Sequence, residues 1–163
     1  MLRVLAKVLK VLNSETAPGQ ISLAFCLSMV VGLTPLFSLH NFLFFFLVLI
    51  LRVNLSAFLL GAVFFSGVSY LLDPLFHWIG LTALTAGPLE GLWTALYNCT
   101  LCRFERFNNS VVMGSLLFSL VVFGPMYILG NLVIRRYREH VLSWIQKLGI
   151  VRALKASKFY ELY

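Results

Sequence analysis

Charge is scarce in this sequence. Of its 163 residues only 12% are charged and only six are aspartate or glutamate, whereas 60% are hydrophobic. Soluble domains average about one quarter charged residues and about half apolar ones. The shortage of charge therefore argues against an ordinary soluble domain and indicates an integral membrane protein built as one compact bundle.

Side chains that could carry chemistry are equally few. The sequence holds no carboxylate pair, no cluster of metal ligands, and no nucleophile with a base at a motif spacing. Cys99 and Cys102 form a lone CxxC, for which two unpaired structural cysteines is the preferred interpretation. A disulfide is the alternative if this loop faces an oxidising compartment. We expect no enzyme activity, no catalytic residues, no metal site and no cofactor.

The longest apolar stretch, 21–54, is interrupted in its middle. The interruption carries Gly32, Thr34, Pro35, His40 and Asn41. As helices, the two halves would be roughly 20 and 24 Å long, shorter than the ~30 Å hydrocarbon core of a bilayer. Both a single kinked helix and a helical hairpin, re-entrant or crossing, fit this pattern. The polar residues at the break either satisfy the interrupted backbone or form a binding site, as broken helices do in transporters.

Two further stretches predict transmembrane helices. The first is Leu55 to Leu72, which Asp73 and Pro74 should end, and the second lies within 108–134. Small residues on these helices predict close helix packing, and they are Ala57, Gly61 and Gly114. The predicted fold class is therefore an all-α integral membrane protein, with a hairpin and two transmembrane helices.

Amphipathic segments surround these spans. In residues 1–16, Arg3, Lys7 and Lys10 share one face of a helix, which suits either the lipid headgroup plane or packing on the protein. Residues 18–80 would hold the hairpin and the first span, followed by an external interfacial segment, 81–107. Next to that segment, an aromatic cluster is predicted at the interface, formed by Phe76, His77 and Trp78.

Basic residues predict the orientation. Arg135, Arg136 and Arg138 begin a basic amphipathic tail, 135–163. With the basic N-terminal helix, they place both termini in the cytoplasm by the positive-inside rule, which favours the hairpin over the kinked helix. Their position beside apolar segments indicates contact with phospholipid headgroups rather than with nucleic acid.

One long motif is familiar. The stretch PGQISLAFCLSMVVGLTPLFSLHNFLFFFLVLILRVNLSAFLLG begins at Pro18, breaks at Gly32 to Leu36, and ends at Gly61. It resembles a bacterial inner-membrane family catalogued only as a domain of unknown function, number two thousand and sixty-two. Residues 106–114 resemble a stand-alone subgroup of that family.

The resemblance implies two associations. Related domains occur fused to membrane glycosyltransferases, and the stand-alone subgroup tends to be encoded beside a large AsmA-like envelope protein. That class resembles bridges that carry phospholipid between membranes. The resemblance therefore implies a non-enzymatic inner-membrane subunit that anchors such a bridge and assists phospholipid transfer. A small transporter or channel at the Gly32–Asn41 break is the alternative, with a homo-oligomer forming the pore.

Overall fold

The computed structural model describes residues 17–51 and 53–147, and within them every regular element is helical. The α-helices are α1 (Pro18–Leu33), α2 (Leu39–Ile50), α3 (Leu55–Leu84), α4 (Glu90–Asn98), α5 (Thr100–Phe104) and α6 (Ser110–Lys147), with a 3-10 turn at Gly87–Leu89. Both α3 and α6 are long and apolar enough to cross a membrane. The predicted all-α membrane fold class is confirmed.

The interrupted apolar stretch forms two separate helices. Pro18 occupies the first turn of α1, where its missing N–H costs nothing. At the other end Thr34 is extended, as expected of a residue before proline. Val48 near the end of α2 shares a buried cluster with Ile21 and Ala24 near the start of α1. This contact shows that the chain reverses its direction between the two helices. The stretch is therefore a helical hairpin.

Helix α1 lies at the centre of the bundle. It is apolar around its whole circumference, and all its residues from Cys26 onward are buried. Its Ser28 faces Gly61 of α3, and the pair formed by Gly32 and Phe65 lies farther along both helices, so α1 and α3 run parallel. Near the start of α1, Ser22 hydrogen-bonds with Asn131 of α6, and α1 packs on this helix too. This central position means that the hairpin is held by α3 and α6.

Helices α3 and α6 cross closely through two glycines. Gly80 lies against the backbone of Ser110 and Gly114, and Gly114 lies against the backbone of Phe76 and Gly80. A Cβ atom at either position would overlap a carbonyl of the facing helix. The contact therefore requires the absence of a side chain at both positions, as small-residue helix interfaces in membranes do.

Two predictions about α3 are wrong. The helix does not end at Asp73 and Pro74 but continues to Leu84, with Pro74 inside it. Phe76 is not at an interface but completely buried, with its ring 5.5 Å from that of Phe118. An interior proline costs about 3 kcal/mol in a helix. Packing of the next turns against α6 offsets this cost.

The boundary predicted at residue 135, between the second span and the basic tail, does not coincide with the end of a helix. Helix α6 continues without interruption past Arg135, Arg136 and Arg138 to Lys147. Arginine is a good helix former, so the helix can continue from its apolar part into its basic part. The predictions for Arg3, Lys7, Lys10 and residues 148–163 lie outside the described residues.

Candidate functional site at the hairpin tip

Polar side chains close the turn between α1 and α2. Asn41 is completely buried, and its amide nitrogen donates to the carbonyls of Pro35 (2.9 Å) and Leu36 (3.4 Å). The hydroxyl of Thr34 lies within hydrogen-bonding distance of Asn41 Oδ1 (3.0 Å) and of the carbonyl of Val30 (2.8 Å). These two side chains therefore supply hydrogen-bond partners for part of the interrupted backbone, as irregular backbone at membrane depth requires.

A carboxylate from a distant part of the chain caps α2. Ser38 at the helix N-cap makes no side-chain capping bond. Instead, Glu105 accepts a hydrogen bond from the backbone N–H of His40 (2.9 Å) and also pairs with His40 Nδ1. A negative charge at this position stabilises both the unpaired amides of the first turn and the helix dipole. Glu105 thereby joins the hairpin tip to the loop before α6.

The far side of the His40 ring has no such partner. The side chain is 10% exposed, and its Nε2 has no hydrogen-bond partner among the described residues. Phe44 packs edge-on against the ring, with the centroids 6.5 Å apart. The pair with Glu105 therefore fixes the ring orientation and leaves one ring nitrogen uncommitted.

Replacing Glu105 by glutamine should lower the free energy of unfolding by about 1 kcal/mol, because the charged acceptor for His40 is lost but the side-chain shape remains. Thermal unfolding in one detergent, followed by tryptophan fluorescence, would measure the change. Glu90→Gln is the matched control, since Glu90 is exposed in the first turn of α4. Equal effects of the two substitutions would refute the capping role.

A partly open cleft lies between the hairpin tip and α3. Its volume is about 340 Å³. The hairpin contributes residues 32–37, α6 contributes Val111, and α3 contributes Ser66, Ser69, Tyr70 and Asp73. The lining combines hydroxyl groups and a carboxylate with the apolar side chains of Leu36 and Phe37, of which Phe37 is 92% exposed. Such a mixed lining suits an amphiphilic ligand.

The two cysteines of the CxxC lie away from this cleft, around the start of α5. Neither cysteine forms a disulfide, and Cys99 is exposed. A hydrogen bond with Cys99 raises the pKa of the Cys102 thiol above its usual value. Cys102 is therefore less ionised at neutral pH than an ordinary cysteine. Among the described residues no group of three or more histidine, cysteine or acidic side chains could hold a metal ion.

Comparison with known proteins identifies the family. A sequence model of DUF2062, an uncharacterized protein family conserved in bacteria, matches residues 2–142. The chain belongs to DUF2062. One relative of this DUF2062 protein is an uncharacterized protein of Treponema pallidum (strain Nichols), 28% identical over 141 residues, which are 86% of this chain and 87% of the relative. No solved structure is significantly similar.

The DUF2062 structure gathers some of the predicted site residues and separates others. Thr34, Pro35 and Asn41 meet in one hydrogen-bonded turn, whereas His40 pairs with Glu105. Gly32 is in the cleft wall, where a Cβ would come within 2.7 Å of Phe65 Cβ. The predicted packing residues Ala57 and Gly61 face inward, the latter against Ser28.

Three residues of this DUF2062 protein were missed from the sequence. They are Asp73, Gly80 and Glu105. In the sequence Asp73 indicates only a helix stop, and Gly80 and Glu105 belong to no motif. The sequence does offer one signal for Asp73 and Glu105, which is the small number of acidic residues. With six in the whole chain, each carboxylate needs an explanation.

Proposed function

We propose that this DUF2062 protein is a non-enzymatic subunit of the bacterial inner membrane that helps phospholipid enter a larger lipid-carrying assembly. Its proposed partner is an AsmA-like bridge protein, and both of its termini would face the cytoplasm. The observation that carries the proposal is the cleft at the hairpin tip, which offers polar groups and an exposed phenylalanine side by side.

The position of the cleft along α3 supports this function. Leu55 begins the helix, and Asp73 lies about 27 Å farther along it at 1.5 Å per residue. If Leu55 is at one surface of the hydrocarbon core, Asp73 comes close to the other, since the core is ~30 Å thick. The cleft then opens where phospholipid headgroups lie, and the hairpin tip reaches that level from the opposite side.

The exposed side chains around the cleft also suit a lipid. Helix α2 buries only Asn41 and Val48, and most of its large apolar side chains are exposed. Phe37 at the tip extends this apolar surface to the mouth of the cleft. An acyl chain could therefore lie along α2 while its headgroup occupies the cleft. A short hairpin beside long helices would also disturb the local bilayer thickness.

The first test is gentle purification of the tagged full chain from native bacterial membranes, followed by mass spectrometry of co-eluting proteins and lipids. We expect an AsmA-like protein and phospholipid to elute with the chain. The same purification of an unrelated tagged membrane protein of similar size gives the background. Recovery of a homo-oligomer with no larger partner would contradict the proposal.

A small transporter or channel is the second candidate, favoured by the buried polar turn at a broken helix. Against it, the side chains of Thr34 and Asn41 use their hydrogen bonds within the turn. The two functions separate in protein-containing liposomes loaded with an ion-sensitive dye. Ion flux above that of empty liposomes would favour the transporter or channel, and flux equal to the background would favour the lipid-entry subunit.

A further inference from the structure

The cleft at the hairpin tip contains several hydrogen-bond acceptors. Asp73 contributes a carboxylate, and within the described residues no cationic side chain pairs with it. None of the described residues that line the cleft is lysine, arginine or histidine. A carboxylate in a partly buried site without a cation nearby attracts a positively charged ligand.

Backbone carbonyls add to this acceptor set from both walls of the cleft. On the hairpin wall, α1 ends at Leu33, and in the described part of the chain no amide donates to the carbonyls of Gly32 and Leu33. On the α3 wall, Pro74 has no N–H to donate to the carbonyl of Tyr70. Gly32, Leu33 and Tyr70 all line the cleft. Broken helices commonly coordinate cations through such carbonyls.

The lining also contains groups that can donate, among them the hydroxyls of Ser66 and Tyr70, which can donate or accept. The hydroxyl of Ser69 donates to the carbonyl of Ser66 (3.0 Å), so it presents lone pairs to any ligand. The amides of Leu36 and Phe37 donate no hydrogen bond to any other described residue. They lie at the apolar rim of the cleft, beside the exposed ring of Phe37. Within the described residues, the cleft thus offers a carboxylate and unpaired carbonyls inside and two unpaired amides at its mouth.

From this arrangement we infer that the cleft binds the primary ammonium group of an aminophospholipid such as phosphatidylethanolamine. This inference rests on the proposed function and names its substrate class. The three N–H groups of the ammonium would donate hydrogen bonds to the Asp73 carboxylate and to the carbonyls of Leu33 and Tyr70. The adjoining phosphate would lie at the rim, within reach of the Leu36 and Phe37 amides, and the acyl chains would follow α2.

The experiment offers three headgroups in competition. The purified full chain is equilibrated in mild detergent with equal amounts of dioleoyl phosphatidylethanolamine, phosphatidylglycerol and phosphatidylcholine, and the retained lipids are measured by mass spectrometry. Phosphatidylethanolamine should be enriched about tenfold over phosphatidylglycerol, the ratio expected for one charge-assisted hydrogen bond. Phosphatidylcholine should be retained less, because its trimethylammonium group has no N–H.

Two substitutions assign the preference to the cleft. Asp73→Asn removes the charge without changing the side-chain shape and should abolish the enrichment. Pro74→Ala supplies the N–H that the Tyr70 carbonyl lacks and should reduce it. Glu90→Gln, which removes an exposed carboxylate on α4, should leave it unchanged. Enrichment that survives both cleft substitutions would overturn the inference.

Two further results would also overturn it. The first is equal retention of the three lipids by the unaltered chain. The second is loss of the preference in sodium chloride but not in choline chloride of the same concentration, which would assign the cleft to an inorganic cation. An AsmA-like protein that still co-purified in either case would leave the proposed function standing, so the two failures are distinguishable.

Discussion

Replacing Gly80 by alanine should destabilise the helical bundle by about 2–4 kcal/mol, a large effect for a single methyl group. The added Cβ would overlap the carbonyl carbon and oxygen of Ser110 and press on the amide of Gly114. Backbone atoms cannot turn away as a side chain can, so α3 and α6 would have to separate. The loss should appear in thermal unfolding, measured by circular dichroism in a fixed detergent.

The matched control is Gly67→Ala in the same helix. No atom lies within 4 Å of a Cβ built at Gly67. Because alanine is a better helix former than glycine by about 1 kcal/mol, this substitution should be neutral or slightly stabilising. We therefore expect Gly80→Ala to lower the free energy of unfolding and Gly67→Ala to leave it unchanged or raise it slightly. If both variants unfold like the unaltered chain, the close crossing of α3 and α6 is refuted.

The second large effect is expected from Asn41→Leu. Leucine would remove the donor to the carbonyls of Pro35 and Leu36 and the acceptor for Thr34 within a fully buried site. The Pro35 carbonyl would keep the N–H of Ser38 (3.1 Å) and the Thr34 hydroxyl would keep the carbonyl of Val30 (2.8 Å), so the Leu36 carbonyl is the group left without a partner. Because one such loss costs about 1–3 kcal/mol, we expect a loss of about 2 kcal/mol in the free energy of unfolding.

Proteolysis at the hairpin tip would report this loss directly, because an opened turn exposes residues 34–38 to a protease. Asn108→Leu is the control, since Asn108 is exposed in the loop before α6. Thr34→Val should produce a smaller loss, and combining it with Asn41→Leu should cost less than the sum, because the two side chains share a bond. Full additivity would show that the turn is not one network.

The sequence predicts the hairpin because its cause is local. Pro35 removes a helical donor and restricts Thr34, whatever surrounds them. The same reasoning fails at Pro74, where the helix continues to Leu84. There the outcome depends on Phe76 and Gly80 packing on α6, which lies more than 30 residues farther along the chain. Proline signals a weak point in a helix, and tertiary contacts decide whether it breaks.

The cleft could not be predicted for the same reason. Its walls come from α1, α3 and the start of α6, and none of the three shows a binding motif in its own sequence. Glu105 caps α2 through His40, which lies 65 residues earlier in the chain. No spacing rule connects residues so far apart. The sequence shows which residue types are present, for instance that carboxylates are rare. Which of these side chains lie close together in space depends on the fold.

The central position of α1 has a consequence for biosynthesis. Ser22 hydrogen-bonds with Asn131, 109 residues later, and Cys26 contacts the carbonyl of Phe123, 97 residues later. At roughly 5–20 residues per second, a ribosome needs on the order of 5–20 s to supply α6 after α1 has emerged. During that interval the first hairpin is without its final neighbour, and its buried serines face lipid or the insertion machinery. Among the described helices, the last to be translated therefore completes the core around the first, so a nascent chain released before α6 would leave α1 without this packing partner.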